Sequence, residues 1–541
     1  MSQTSTITVS SAARPYTTAE QAAEAHDRLV KTFASGKTKS LRWRKWQLKQ
    51  FWWMVTDNED AICRALAADL GRPDMETLVV ECTVMKQLIL DQIEHLEEWA
   101  ADDPIPEADF IFRTIGKARI RKEPRGVALV LGAWNTPVLV TFAPAVAAVA
   151  AGCCVLMKPS ELPVASQNLM ADLVKSYLDP EAIQLVTGGA AETSELLELK
   201  FDHIFHTGSV KVGKIVLTAA AKHMAPVVLE LGGQGPAIVT GSVDPNIAAK
   251  RIAWAKYMNA GQICTCVNHV FVDPSIHDQF VERLVYWTAK FAGEGDLQVS
   301  NIINKANYNR LSGLLANTKG KVHQSHKSNE ATNTFAPAVV SDVKPQDALL
   351  NDEIFGPICP VIKATYREAV EDINSRPNPL AAYIFSNDRS EINYILDNTL
   401  SGGVTVNDLM MHGILPGTPF GGVGESGMGA YHGKYGFLAF THLRAVVEIP
   451  FWLDSLMAWR YPPYDIKNKS NVAVKNKLGF RRGETMEDQV IGRGRFPSWT
   501  TVGVAVAVAG TLGAQWSRGG LGPLDGVISS LQSAVRGAVK V

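Results

Sequence analysis

The feature that most constrains the fold of this chain is a change of pattern at Gly126. Val127-Ala128-Leu129-Val130-Leu131-Gly132 and Cys154-Val155-Leu156-Met157 are short, unbroken apolar runs rich in β-branched residues. Between them lies an Ala/Val-rich stretch, about residues 141–151, with the composition of a helix. A strand that is apolar on both faces must be covered on both faces, which a parallel strand–helix–strand unit does. The alternation returns at His203-Ile204-Phe205-His206 and at Pro226-Val227-Val228-Leu229. The expected fold class is therefore α/β with a doubly covered parallel sheet. The 541 residues exceed what one core holds, so two or three domains are expected.

The flanking regions differ in character. Residues 1–16 are polar and Ser/Thr-rich and are expected to form a disordered lead, without the basic start and apolar run of a secretory signal. From Thr17 to about Ala101 the periodicity is helical. Within it, Leu41 to Met54 places large apolar groups at three- and four-residue spacing. Such a face serves a membrane or partner, or packs on the domain core, and core packing is the more ordinary use. Pro104 and Pro106 end the helical region, and the alternation near Ala118 to Ile120 fits a strand of an arm.

Composition narrows the function. A net charge of −1 leaves no electrostatic footprint for nucleic acid. The cysteines are Cys63, Cys82, Cys153, Cys154, Cys264, Cys266 and Cys359. Their number is odd and no Cys-x-x-Cys pair occurs, so neither a disulfide framework nor a metal site is expected. A reducing compartment follows.

Three strings bear chemistry. Cys264 ends Asn259-Ala260-Gly261-Gln262-Ile263-Cys264, where glycine permits a sharp turn and amide N–H groups can point at a reacting carbonyl. Alone, a cysteine is more often inert packing. Glu230, in Leu229-Glu230-Leu231-Gly232-Gly233, is a carboxylate beside glycines that let a ligand approach; it could equally be an exposed strand end. Asn135, in Gly132-Ala133-Trp134-Asn135-Thr136-Pro137, can donate to an oxyanion or simply form a turn.

Together these strings resemble the active site of the aldehyde dehydrogenase family. The resemblance implies that Cys264 is the nucleophile, Glu230 the general base for thioester hydrolysis, and Asn135 with the Cys264 amide the oxyanion hole. Cys266 competes for the nucleophile's role, but the family's nucleophile sits three residues after the glycine. Further strings are similar to the family's cofactor motifs. Lys158 and Glu161, in Lys158-Pro159-Ser160-Glu161, would bind the adenosine ribose, and the carboxylate would favour NAD over NADP. Gly208, Ser209 and Gly213 would form the turn under the pyrophosphate at a helix N-terminus. Glu353 would hold the nicotinamide ribose, Phe355 would pack on the nicotinamide ring, and Trp134 would line the cofactor site.

The strings from Pro419 to Gly429, from Ala430 to Phe437, from Gly402 to Asp408 and from Arg460 to Tyr464 resemble class 3 of the family, so the likeness covers about residues 20–465. NADP is then an alternative cofactor and a homodimer is expected. The implied fold has a Rossmann-like cofactor domain (17–103 and 126–229), an α/β catalytic domain (230–429) and a small β oligomerisation arm (104–125 and 430–450). Two departures stand out. Gln234 replaces a usual lysine, which removes a charge near Glu230. Cys266-Val267-Asn268 replaces Ala-Pro-Asp in a segment expected to shape the pocket mouth.

Beyond the enzyme, 451–498 is a basic linker carrying Lys467, Lys469, Lys475, Lys477, Arg481, Arg482, Arg493 and Arg495. Trp499 to Trp516 holds no charged residue and has tryptophan at both ends, as a C-terminal transmembrane helix would. A buried helix or oligomer contact is the competing use. Residues 517–541 form a weakly amphipathic tail. The basic bias would keep the catalytic domain cytosolic, with the anchor in the endoplasmic reticulum, another endomembrane or the mitochondrial outer membrane. Membrane-bound fatty-aldehyde members of class 3, and fungal enzymes that oxidise apocarotenoid aldehydes, are similar in this respect. The expected activity is NAD-dependent oxidation of a long apolar aldehyde, fatty or apocarotenoid, to its carboxylic acid. Aromatic or medium-chain aldehydes, acyl transfer to coenzyme A, and a catalytically retired tail-anchored scaffold are the competing readings.

Overall fold

In the computed structural model, which describes residues 8–294, 297–472 and 478–489, Val127–Leu131 and Cys154–Lys158 are strands buried along their whole length. They pair in parallel, with Val127 opposite Cys154. The helix between them is Pro137–Ala151. Proline opens it, where a missing N–H costs nothing, and left-handed Gly152 closes it.

These elements belong to a six-stranded sheet. Its spatial order is Gly427–Met428, Val227–Glu230, His203–Thr207, Val127–Leu131, Cys154–Lys158 and Ile183–Leu185. Every pair is parallel except the first, which is antiparallel. Chain order runs outward from Val127–Leu131 in both directions, so a topological switch point lies beside that strand. In such sheets ligands bind in the crevice beyond the carboxyl ends of the strands there. The helices Ala19–Ala34, Leu41–Thr56, Glu59–Leu70 and Val84–Ala100 share this sheet's core, through Leu29, Phe51, Leu66 and Ile89.

A seven-stranded sheet carries the second half. Its order is Lys321–His323, Ala338–Ser341, Ile358–Lys363, His269–Val272, Pro236–Val239, Ala381–Phe385 and Gly403–Val406, parallel except for the first pair. A third, three-stranded antiparallel sheet joins Asp103–Pro104, Arg119–Pro124 and Thr441–Val446.

The structure redraws several sequence boundaries. Gly427–Met428, placed in the catalytic domain, pairs with Leu229 and Glu230 of the first sheet. Tyr431, Phe437 and Phe440, placed in the arm, are buried in the first core, and only Thr441–Val446 forms an arm strand. Large aromatic side chains gain more from that core than from a thin sheet. The described part of the expected disordered lead is tied down. Arg14 forks onto Asp172 at 2.8 and 2.9 Å, and Asn168 donates to the carbonyls of Ser10 and Ala12. The helix Leu41–Thr56 buries Leu48, Phe51, Met54 and Val55, but Trp46 and Trp53 are 59% and 51% exposed. Its aromatic residues thus lie on both sides of the helix, and core packing accounts for only some of them.

A separate unit, Phe451–Val541, follows. Its described elements are short 3₁₀ turns, Phe451–Leu453, Ser455–Arg460 and Ile466–Asn471. The expected membrane segment 499–516, the tail 517–541, and Lys475, Lys477, Arg493 and Arg495 lie outside the described residues. Among the described residues no helix is long and apolar enough to cross a membrane.

Candidate active site

Four first-sheet strands deliver the candidate residues at their carboxyl ends. Val127–Leu131 leads into Trp134 and Asn135, Cys154–Lys158 ends on Lys158, His203–Thr207 leads into Gly208, and Val227–Glu230 ends on Glu230. Glu230 is 3% exposed, and neither carboxyl oxygen has a hydrogen-bond partner. Burial raises its pKa well above the ordinary carboxylate value, and no neighbouring charge offsets this.

Cys264 comes from the second half of the chain. The helix Pro245–Tyr257 runs into a tight turn, Met258–Gly261. Asn259, Ala260 and Gly261 are all left-handed there, with φ of 49°, 50° and 69°. Ala260 bears a strain on the order of 1–2 kcal/mol in that conformation. Gly261 is required twice over, because a Cβ would also lie 2.4 Å from the carbonyl of Gly356. Cys264 is recessed but keeps part of its surface accessible. Burial first, then the charges of Glu353 and Glu230, push its thiol up to about 12. The Thr265 and Cys264 amides pull the other way. A thiol so raised needs a nearby base, and Glu230 is close enough to act on it electrostatically. The phenol of Tyr431 is raised by burial and then by these same two groups, so all three share one space.

Asn135 is 5% exposed and donates its side-chain amide to the carbonyl of Gln262 at 3.1 Å. That bond ties it to the cysteine turn and leaves its second N–H free. Trp134 meets Phe355 edge to face, with ring centroids 5.4 Å apart. Glu353 lies against Gly232, where any Cβ would collide with its carboxyl. Burial raises Glu353 to about 8, although it accepts from the Gly233 amide. Asn268 accepts from Ile354 N at 2.8 Å, and Lys256 donates to Gly356 O at 3.0 Å, pinning this loop beside the nucleophile turn.

The crevice toward the first sheet fits a dinucleotide. Lys158 is buried, donates to Gly188 O at 3.0 Å and lies 3.6 Å from Glu161. Ser209 caps the helix Val210–Lys222, whose N-terminal amides suit an anion. Gly213 lets that helix press on Leu231. Both ring nitrogens of His206 and the Thr207 hydroxyl are buried beside this turn with no protein partner. Orphaned polar atoms in such a place fit a polar ligand. No group of His, Cys, Asp or Glu among the described residues could hold a metal.

The two departures singled out in the sequence take these places. Cys266, Val267 and Asn268 are buried at 6%, 0% and 3%. Gln234 is held by the carbonyl of Leu350 at 2.8 Å and accepts from Arg376 at 3.3 Å, so a cation lies beside Gln234, while no charge acts on Glu230. Sequence reasoning also missed Lys256, Tyr431, and Arg72 with Glu81. Tyr431 lies in the 430–437 string but has no role assigned there; the Gly71-Arg72-Pro73 break after a helical run was the one available signal for Arg72, and no local motif marks Lys256 or Glu81.

A crevice that fits a dinucleotide, with a recessed thiol facing it, is the arrangement of a nicotinamide-dependent oxidoreductase. A model of the aldehyde dehydrogenase family matches residues 5–446. The rat dimeric NADP-preferring aldehyde dehydrogenase is 41% identical over 81% of this chain and 97% of its own. Rat aldehyde dehydrogenase family 3 member A2 is 40% identical over 81% and 90%. The substrate-bound AldH of Staphylococcus aureus superposes with a TM-score of 0.79 at 32% identity, covering 83% of this chain and 98% of that one. The chain belongs to the aldehyde dehydrogenase family, on its class 3 side, and is an NAD(P)-dependent enzyme.

Proposed function

We propose that this enzyme oxidises long-chain apolar aldehydes to carboxylic acids, with Cys264 as nucleophile, Glu230 as general base and Asn135 in the oxyanion hole. The carrying observation is Glu230: a buried carboxyl with no partner, sharing its space with Cys264 and Tyr431. The Cys264 sulfur attacks the aldehyde carbonyl while its proton passes to Glu230. The free N–H of Asn135 and the amide of Cys264 hold the oxyanion. Bound NAD or NADP supplies the hydride acceptor that turns this adduct into a thioester. Lys158 and Glu161 would hold the adenosine ribose, Gly208, Ser209 and Gly213 the pyrophosphate, and Glu353, Phe355 and Trp134 the nicotinamide end. Glu230 releases that proton to solvent and then takes one from water, whose oxygen attacks the thioester; the acid departs and the Cys264 thiolate recovers a proton. An unpartnered base favours water over coenzyme A as acceptor.

The charge-free stretch 499–516, with tryptophan at both ends, supports a membrane anchor suited to aldehydes that partition into lipid. The expected unit is a homodimer with a cytosolic catalytic domain. The first test follows NADH and acid formation by full-length protein in detergent. It compares long aliphatic, apocarotenoid and aromatic aldehydes, with and without coenzyme A. Free acid from a long-chain aldehyde is expected. An acyl-coenzyme A product, or preference for short aromatic aldehydes, overturns the reading. Alkaline extraction of membranes from expressing cells tests the anchor, since release into the supernatant refutes it.

A further inference from the structure

The cysteine turn rests on a buried ion pair that the reaction itself does not use. Arg72, from the segment after the helix Glu59–Leu70, is 1% exposed, and Glu81 is fully buried. Their side chains meet at 2.7 Å. The guanidinium has two further tasks. It donates to the carbonyl of Asn135, and its Nε donates to the side-chain oxygen of Asn259 at 3.1 Å. Asn259 in turn donates to the same Asn135 carbonyl at 3.1 Å and to Gln262 O at 3.0 Å, the acceptor that Asn135 also uses. Glu81 accepts from Leu139 N at 2.8 Å, near the start of the helix that follows Asn135. Glu76 accepts from Asn259 N at 3.0 Å.

An isolated buried ion pair is a weak source of stability, because desolvation cancels much of the attraction. Its location needs another reason. The planar fork of an arginine can satisfy three acceptors at fixed angles, which an ammonium cannot. Here the three acceptors belong to Glu81, to the residue presenting the oxyanion amide, and to the left-handed turn presenting the thiol.

We propose that Arg72 is a positioning residue that sets the oxyanion donor and the nucleophile turn in register, with Glu81 as its counter-ion. This rests on the roles assigned above to Asn135 and Cys264. Arg72 touches neither substrate nor thiol and acts through Asn135 and Asn259. A displacement of about 1 Å at reacting groups costs about 10²-fold in rate.

The test uses full-length protein and three variants. Arg72→Lys retains a charge for Glu81 but loses the fork. Arg72→Met/Glu81→Gln removes both charges of the pair together and keeps an acceptor for Leu139 N, while Glu76, which also feels the Arg72 charge, retains its bonds from Asn259 N and Ser300. Arg72→Ala tests rescue by added guanidinium. Both of the first two variants are expected to fold, as judged by circular dichroism, and to bind NAD within about threefold of the parent by calorimetry. Their kcat/KM for aldehyde is expected to fall at least about 10²-fold, chiefly in kcat. Guanidinium is expected to restore part of the rate of Arg72→Ala. Amide exchange across residues 257–266 is expected to quicken at least tenfold in the first two variants. That readout holds whether or not the parent oxidises an aldehyde, so it separates failure of this proposal from failure of the functional assignment. Normal kcat/KM in Arg72→Lys, or unchanged exchange of the turn in the double variant, overturns the proposal.

Discussion

Two buried glutamates at the centre of this enzyme have opposite surroundings. Glu81 is fully buried beside Arg72 and accepts two bonds, at 2.7 and 2.8 Å. Glu230 is almost as buried, and both of its oxygens are unpartnered. Both pKa values are raised by burial, but Arg72 and the backbone amides oppose the shift at Glu81, whereas nothing opposes it at Glu230. A paired carboxylate is committed to holding its neighbours. An unpaired one is free to take and return a proton. The fold tolerates the second because it sits at a strand end, where one side chain bears the cost of a site that must stay open.

The largest effect is expected on the partner of the unpaired carboxyl. Cys264→Ala is expected to lower dehydrogenase turnover at least about 10³-fold, while Cys266→Ser keeps most of it, as NADH formation would show. Glu230→Gln is expected to cost about 10²–10⁴-fold in steady turnover, with a burst of NADH and a trapped thioester visible by mass spectrometry. Glu81→Gln, the matching change at the paired carboxyl, leaves Arg72 without its hydrogen-bonded counter-ion and with only the charge of Glu76 nearby. It is expected to destabilise by about 3–5 kcal/mol in denaturant titration, the cost of breaking a buried pair.

Smaller effects sharpen the contrast through pH. The raised pKa of Glu230 means that its base form grows as pH rises. The kcat/KM profile should therefore keep climbing above the ordinary carboxylate range, and Glu230→Gln should lose that limb. For stability the sign runs the other way. A carboxyl raised on folding favours the native state only while protonated, and that contribution is lost as pH rises through the folded pKa. Glu230→Gln should then gain melting temperature over the parent at alkaline pH, and not near pH 4, by calorimetry. The smallest effect is expected at Gln234. Gln234→Lys should change kcat/KM less than about fivefold, because Arg376 already places a cation there.

Much of the proposed site was legible because Cys264, Glu230 and Asn135 each sit in a local string that includes glycine. Gly261 is one such case: its left-handed φ and the closeness of Gly356 both demand glycine. The parallel strands were legible for a similar reason, since Val127–Leu131 and Cys154–Lys158 are buried throughout and carry an apolar run to match. Side-chain partners over long sequence separation were not legible. Nothing near Arg72 signals that it will meet Asn135 and Asn259. The burial of 266–268 was equally hidden, because polar Asn268 inside a core makes sense only once Ile354 is seen to donate to it.

The sequence by itself determined the fold class through local periodicity and the family through motif resemblance, and it nominated the thiol, carboxyl and amide of the proposed site. Only the tertiary structure decided which carboxyl is free and which is spent on an ion pair. It also decided which aromatic residues serve the core, and that a single arginine spans Asn135 and the turn before Cys264. The physical reason is that hydrogen-bond satisfaction and desolvation depend on what surrounds a group in space. The chain order of residues does not record those surroundings.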